Sequence, residues 1–239
     1  MTRTPGEIWV VVPAYREQPR LARTLERLFA EGYSNIVVVD DGSTDGTSAI
    51  ARAQPVWLLK HAVNLGQGAA LRTGIEFALE RGAAIVVTFD ADGQHDAAEI
   101  AAVVEPIRLG IADIALGSRF LKSGGCVPFA RKLILKAGVW FTNHFSDLRV
   151  TDTHNGFRAL SRSAARELRI TRNRMAHASE ILDRIGERRW RYVEVPVTIR
   201  YTADTLAKGQ SSWNAVIIAA QIIMGRLVRI SRWRLARIR

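Results

Sequence analysis

The chain has 239 residues, 48% of them hydrophobic, and a mean hydropathy of +0.01, which suits a globular domain with a sizeable core and excludes a disordered or collagen-like chain. A single cysteine, Cys126, excludes an intramolecular disulfide framework and a cysteine-based zinc site, and lends no support to an oxidising compartment. Against 23 Asp+Glu stand 34 Lys+Arg, a net charge of +11, and such a balance ordinarily points to nucleic acid or an anionic membrane surface.

The N-terminal stretch offers only the apolar run Ile8 to Val12 before Pro13, too short for the apolar part of a signal peptide. No run reaches the roughly 18 to 20 apolar residues of a spanning helix. Ala215 to Gly225 comes nearest, and it is interrupted by Gln221 and followed by Arg226. These features predict a cytoplasmic protein.

In chain order, the β-branched runs Ile8–Val12, Ile36–Val39, Val56–Leu59, Ile85–Phe89 and Ile111–Leu116 read as strands. Between them, 20–31, 47–53, 69–81 and 97–109 carry apolar residues at helical spacing, as with Leu21, Leu25, Leu28 and Phe29. The alternation predicts βαβ units: an α/β fold with a mostly parallel, twisted sheet flanked by helices. The second half reads as a helix at 129–147, a loop at 151–156, helices near 162–168 and 176–186, and strands near 191–202. In such sheets ligands sit beyond the carboxyl ends of the strands.

The first strand ends in Pro13-Ala14-Tyr15-Arg16-Glu17, where a ring and a carboxylate suit a flat heterocycle or, equally, a capped turn. Asp40-Asp41-Gly42-Ser43-Thr44-Asp45 follows the second strand, and adjacent carboxylates there should face water or a polar ligand, with Asp45 free to cap the next helix. After the third strand, Asn64-Leu65-Gly66-Gln67-Gly68 opens a helix that continues to Arg72; exposed N–H groups at such a start can seat a diphosphate, although glycine at a helix start is common. Phe89-Asp90-Ala91-Asp92-Gly93-Gln94-His95 follows the fourth strand. In extended chain Asp90 and Asp92 point the same way and can share a hard cation, and oxygen ligands favour Mg or Mn over zinc. His95 reads as a supporting group rather than a ligand.

Together VVPAYRE, VVVDDGSTDGT, NLGQGAALRTG, FDADGQH and LGSRF, in this order and spacing, resemble a family 2 glycosyltransferase of the GT-A fold, the fold of nucleotide-diphospho-sugar transferases. Within that family the chain is most similar to the dolichyl- or polyprenyl-phosphate mannosyltransferase-like branch, from about Ile8 to Ser212. The resemblance implies that Pro13, Tyr15, Glu17 and Asp40, with Asp41 beside them, hold the nucleobase and ribose. It implies that Asp90, Asp92 and Gln94 meet the metal and diphosphate, Ala91 lying between the two carboxylates. Arg119 and Arg131 match basic residues near the acceptor phosphate, Asp152 falls in the block bordering the transferred sugar, and Lys208, with Arg200, belongs to a late basic segment that meets phosphate. Where that branch carries an Arg-x-x-Gly-x-Ser-Lys segment, this chain reads Tyr201 to Ser211 without it, so the acceptor can differ.

The implied reaction moves a hexose, with inversion, from a UDP- or GDP-linked sugar to a lipid phosphate. The cation stabilises the departing diphosphate, and Arg119, Arg131 and Lys208 orient an acceptor already anionic enough to need no base. A sugar-hydroxyl acceptor, as in polysaccharide or glycolipid synthesis, would instead need a base, with Asp152 first and Glu180 second. A nucleic-acid-binding module or a catalytically silent membrane scaffold would explain the charge but not the carboxylate pairs at the strand ends.

Residues 1–212 read as one catalytic domain and 213–239 as a basic C-terminal amphipathic helix, a membrane-interface element or an oligomer contact. The charge sharpens that division. Residues 1–160 hold 17 basic and 17 acidic side chains, residues 161–204 hold 10 and 6, and residues 205–239 hold 7 and 0. A neutral donor half and a basic acceptor side fit anionic lipid better than nucleic acid, and predict a peripheral protein on the cytoplasmic membrane face.

Overall fold

The computed structural model describes residues 7–121, 148–153, 155–171 and 176–200. The expected helix at 129–147, Arg131, Lys208 and the tail from Trp213 lie outside the described residues.

The five apolar runs of the first half become β1 (Ile8–Ala14), β2 (Ile36–Asp40), β3 (Trp57–Lys60), β4 (Ile85–Thr88) and β5 (Ile114–Ser118). The helices between them are α1 (Gln18–Ala30), α2 (Thr47–Arg52), α3 (Gln67–Glu80) and α4 (Ile100–Arg108), the last entered through a 3-10 turn at Ala97–Glu99. Later come β6 (Arg158–Ser161), α5 (Arg162–Glu167), α6 (Ala176–Arg188) and β7 (Tyr192–Pro196). β5 begins three residues later than expected because Ile111 and Ala112 both donate their N–H groups to the Pro106 carbonyl and so belong to the turn that ends α4.

The strands form one seven-stranded sheet in the order β3-β2-β1-β4-β6-β5-β7. Every neighbouring pair is parallel except the two that involve β6, which runs against both β4 and β5. The central strands are buried on both faces, as their near-continuous Val and Ile runs require. Val10, Val12, Ile36, Val38 and Val87 pack with α1 and α4 through Leu21, Leu25, Leu28, Ile100 and Val103. Their alternates, Val11, Val37, Val39 and Val86, pack with α3, α5 and α6 through Ala70, Ile75, Ala164, Ile181 and Leu182. The result is three layers, helix, sheet and helix. Gly74 sets the spacing of α3 on the sheet, since a Cβ there would fall 2.4 Å from a Val11 methyl.

β6 is the element that the apolar pattern misses. Arg-Ala-Leu-Ser is four residues long with an arginine inside the sheet, paired to Thr88 on one side and Leu116 on the other. Because β6 is antiparallel, its entry loop lies at the same edge as the carboxyl ends of β4 and β5. None of the described helices is long and apolar enough to cross a membrane.

Candidate active site

The strand ends named above gather along that edge. After β1 the chain turns at Arg16, whose φ of +54° is rare for a non-glycine residue and is held by its N–H donating to Ser43 Oγ at 3.0 Å. Pro13 stays inside β1, opposite Val39, while Tyr15 is 39% exposed with the Arg16 guanidinium 5.3 Å from its ring centre. Glu17 pairs with Arg20 at 3.1 Å, and its N–H donates to Thr47 Oγ1.

Asp40 and Asp41 are both buried, and each carboxylate ties down a different loop. Asp40 accepts the Ser43 N–H at 2.9 Å and the Ser48 hydroxyl. Asp41 accepts the N–H groups of Leu65 at 3.0 Å and Gly66 at 2.7 Å, and lies 2.7 Å from His61 Nδ1; His61 Nε2 in turn meets Thr73 Oγ1. Asp41 thereby fixes the turn from which α3 starts. Gly68 is buried in that first turn, whereas Arg72 lies on the exposed face, its Nη1 3.5 Å from the Ile170 carbonyl. Burial raises the Asp45 carboxyl, but hydrogen bonds from the Thr47 hydroxyl at the start of α2 and from the N–H groups of Thr47, Gln18 and Asp45 itself together outweigh it and hold the group below its usual range.

Beyond β4 the extended-chain picture of Asp90 and Asp92 gives way to a turn at Ala91–Gly93, braced from α1: Thr24 Oγ1 donates to the Ala91 carbonyl at 3.1 Å and Arg27 Nη1 to that of Gly93 at 3.3 Å. The two carboxylates still act on each other. Burial raises the Asp90 carboxyl, but the hydrogen bond from His95 and the positive fields of His95, His177 and Arg158 outweigh it and hold Asp90 below its usual range. Asp92 is pushed up to about 6, first by burial and then by the charge of Asp90, against the Gln94 N–H that donates to its Oδ1 at 3.0 Å.

Asp90 is positioned on three sides. Gln67 Nε2 donates to Oδ1 at 2.9 Å, His95 Nε2 lies 3.0 Å from Oδ2, and a Cβ on Gly156 would fall 2.5 Å from Oδ2. Gly156 is therefore a place where only backbone fits against the carboxylate. Its carbonyl accepts the Thr88 hydroxyl at 2.6 Å, which locks the β6 entry loop to the end of β4. Gln67 was not singled out in the sequence; its position between two glycines at a helix start was the available signal.

Across this loop, Arg119 at the end of β5 and Asp152 form a buried ion pair, Nε to Oδ2 at 2.6 Å, with the Arg119 N–H on the same oxygen at 3.2 Å. Asp152 is thus engaged by a cation. On α6, the Glu180 carboxylate accepts the N–H and hydroxyl of Thr171, which gives it a structural use beside its reading as a second candidate base. Arg200 donates its N–H to the Gln94 carbonyl and its guanidinium to Asp96 at 2.5 Å, so it reinforces the loop beside Asp92.

Among the described residues, no three His, Cys, Asp or Glu side chains are grouped to hold a metal. The donor set still fits a hard cation. Mg or Mn of this kind takes one or two carboxylates and fills its other positions with substrate phosphate and water, and both the burial and the Asp90 charge that raise Asp92 are offset by a cation placed beside it. Asp90 and Asp92 would hold it, with Gln94 adjoining.

The glycosyl transferase family 2 model matches residues 9–169. The chain is 31% identical to the UDP-N-acetylglucosamine–dolichyl-phosphate N-acetylglucosaminyltransferase of Methanococcus voltae, over 93% of this chain and 97% of that protein. It is also 31% identical to the undecaprenyl-phosphate mannosyltransferase of Micrococcus luteus, over 96% and 94%. Among solved structures, glucosyl-3-phosphoglycerate synthase from Mycobacterium tuberculosis, in complex with Mn2+ and UDP-glucose, superposes with a TM-score of 0.66 at 20% identity, covering 93% of this chain and 78% of that one, and establishes a shared GT-A fold.

Proposed function

Since the chain belongs to glycosyl transferase family 2, we propose that it moves a hexose from a UDP- or GDP-linked sugar to a polyprenyl or dolichyl phosphate, with inversion and with a divalent cation, Mg or Mn, at Asp90 and Asp92. The observation that carries this reading is the pair of interacting carboxylates beyond β4, set beside the Arg119–Asp152 ion pair through the β6 entry loop. A bound cation supplies positive charge to the departing diphosphate. Gln67, His95 and Gly156 hold Asp90 in place for it.

An oxygen of the acceptor phosphate attacks the anomeric carbon as the bond to the nucleoside diphosphate breaks, and that diphosphate leaves with the bonding pair. The acceptor oxygen is already anionic, so no side chain has to take a proton. The engagement of Asp152 by Arg119 suits that chemistry, because the carboxylate oxygen that accepts the Arg119 Nε–H and N–H is occupied in fixing the arginine's position. In this reading Arg119 orients the phosphate, while Arg131 and Lys208, which the family resemblance adds as phosphate-binding cations, lie outside the described residues. Tyr15 and Glu17 border the base and ribose, while Asp40 and Asp41 shape the loops around them. The seven basic and no acidic side chains of residues 205–239 would hold the protein on anionic lipid, or on a second copy of the chain, and nucleic acid is not a partner in this reading.

The test is transfer from UDP- and GDP-sugars to a polyprenyl phosphate, with and without a chelator. Formation of a sugar-phosphate lipid that stops on chelation supports the proposal; no transfer to the lipid phosphate from any of these donors refutes it.

A further inference from the structure

Arg158 is a buried cation that the residues around it leave unclaimed. It lies in β6, in the middle of the sheet, paired through its backbone with Thr88 and Leu116. Its side chain falls on the face that carries Leu160, together with α3, α5 and α6, and only 4% of the residue is exposed. Among the described residues its guanidinium makes no hydrogen bond, and no carboxylate comes within 4.0 Å of it.

Burying a charge without a partner is strongly unfavourable. The nearest negative charges are those of Asp90 and Asp152, whose fields favour the guanidinium. Both are spoken for: Asp90 by Gln67 and His95, Asp152 by Arg119. Burial outweighs their fields and lowers Arg158 to about 10, so its charge is under-compensated in the ligand-free protein.

A second donor on the same short segment is also unsatisfied. Asn155 Oδ1 accepts the Phe157 N–H at 3.0 Å, which fixes the orientation of the amide and leaves Nδ2 buried without a partner. Two unsatisfied donors therefore bracket Gly156 and Phe157, where Gly156 lies against Asp90. Such donors are retained at a cost that an incoming acceptor group removes.

We infer that Arg158 is a substrate-binding residue, whose guanidinium receives an anionic phosphate oxygen arriving between Asp90 and Asp152. A planar guanidinium matches a phosphate by paired hydrogen bonds, and a water-poor setting strengthens each of them. The phosphate belongs either to the donor diphosphate or to the acceptor lipid. The inference rests on the proposed transfer reaction at this site and adds a residue to it.

Arg158→Met and Arg158→Lys in the full chain test it. Calorimetry measures the affinity for UDP and GDP with Mn, and separately for geranyl phosphate, while thermal unfolding reports on the fold. Arg158→Met is expected to unfold at or above the wild-type temperature, since an uncompensated charge is gone, and to lose about tenfold or more in affinity for one ligand class, with partial recovery in Arg158→Lys. Loss confined to the nucleotides assigns the donor diphosphate; loss confined to geranyl phosphate assigns the acceptor. Unchanged affinity for both classes in Arg158→Met overturns the inference while leaving the transfer reaction standing. So does collapse of the fold in both variants, which would make Arg158 a structural cation. If wild-type protein binds neither class, the transfer reading fails and this inference fails with it.

Discussion

Arg119 gives Asp152 two hydrogen bonds on one oxygen, Nε to Oδ2 at 2.6 Å and backbone N–H to Oδ2 at 3.2 Å, in a pair whose side chains are 10% and 0% exposed. A carboxylate so engaged orients its arginine. Asp152→Asn and Arg119→Lys should each lower kcat/KM, and the double variant should fall within about threefold of the worse single one, because the two act as a unit. Steady-state kinetics over pH adds the decisive readout. If Asp152 anchors Arg119, Asp152→Asn keeps the shape of the wild-type pH profile; if it were a general base, the acid limb would disappear.

The raised carboxyl of Asp92 predicts how cation affinity depends on pH. Below about 6 a proton occupies Asp92 and must leave when the cation binds, whereas above 6 the carboxylate is already ionised. Mn affinity measured by calorimetry in the presence of UDP should therefore rise by up to about tenfold per pH unit below this point and level off above it. Asp92→Asn should weaken binding and flatten that slope.

Gly156→Ala would place a Cβ 2.5 Å from Asp90 Oδ2 and 2.8 Å from Oδ1. The carboxylate must move, so Mn affinity and kcat/KM should fall about tenfold or more, alongside a stability cost of about 1–3 kcal/mol. Gly82→Ala is the control: its φ of +92° carries strain but no atom lies within 4 Å, so it should cost stability of about 1 kcal/mol and leave kinetics unchanged.

How much of this was legible beforehand follows from where each interaction is encoded. β1, β2 and β4 are buried on both faces and announce themselves as apolar runs. β6 carries Arg158 in mid-sheet, pairs with two distant strands and has no periodic signal; the resemblance places its entry loop beside the sugar, but the apolar pattern does not show Gly156 against Asp90. Asp40, Asp41, Asp90 and Asp92 stood out as carboxylates at strand ends. Their divergent surroundings did not, because these depend on contacts such as Asp41 with Gly66, 25 residues away, and Asp152 with Arg119, 33 residues away. The same limit applies to Glu180, whose partner Thr171 sits in a loop of no distinctive composition.

Asp41 also yields a stability prediction. Asp41→Ala leaves the Leu65 and Gly66 N–H groups without their acceptor and removes the partner of His61. At about 1–3 kcal/mol for the buried Gly66 donor alone, and about 2–4 °C per kcal/mol for a chain of this size, the melting temperature should drop by about 2–12 °C, read by calorimetric unfolding without nucleotide. An unchanged melting temperature would show that Asp41 does not brace the start of α3.

The central claim is metal-dependent transfer to a lipid phosphate. Its most direct test incubates the full chain with labelled UDP-N-acetylglucosamine, UDP-glucose or GDP-mannose and a polyprenyl phosphate, then chelates and restores Mn or Mg. At least one donor should yield a sugar-phosphate lipid, with formation stopping on chelation and resuming when the cation returns. Transfer that ignores the chelator, or that reaches only sugar hydroxyls, would contradict the account.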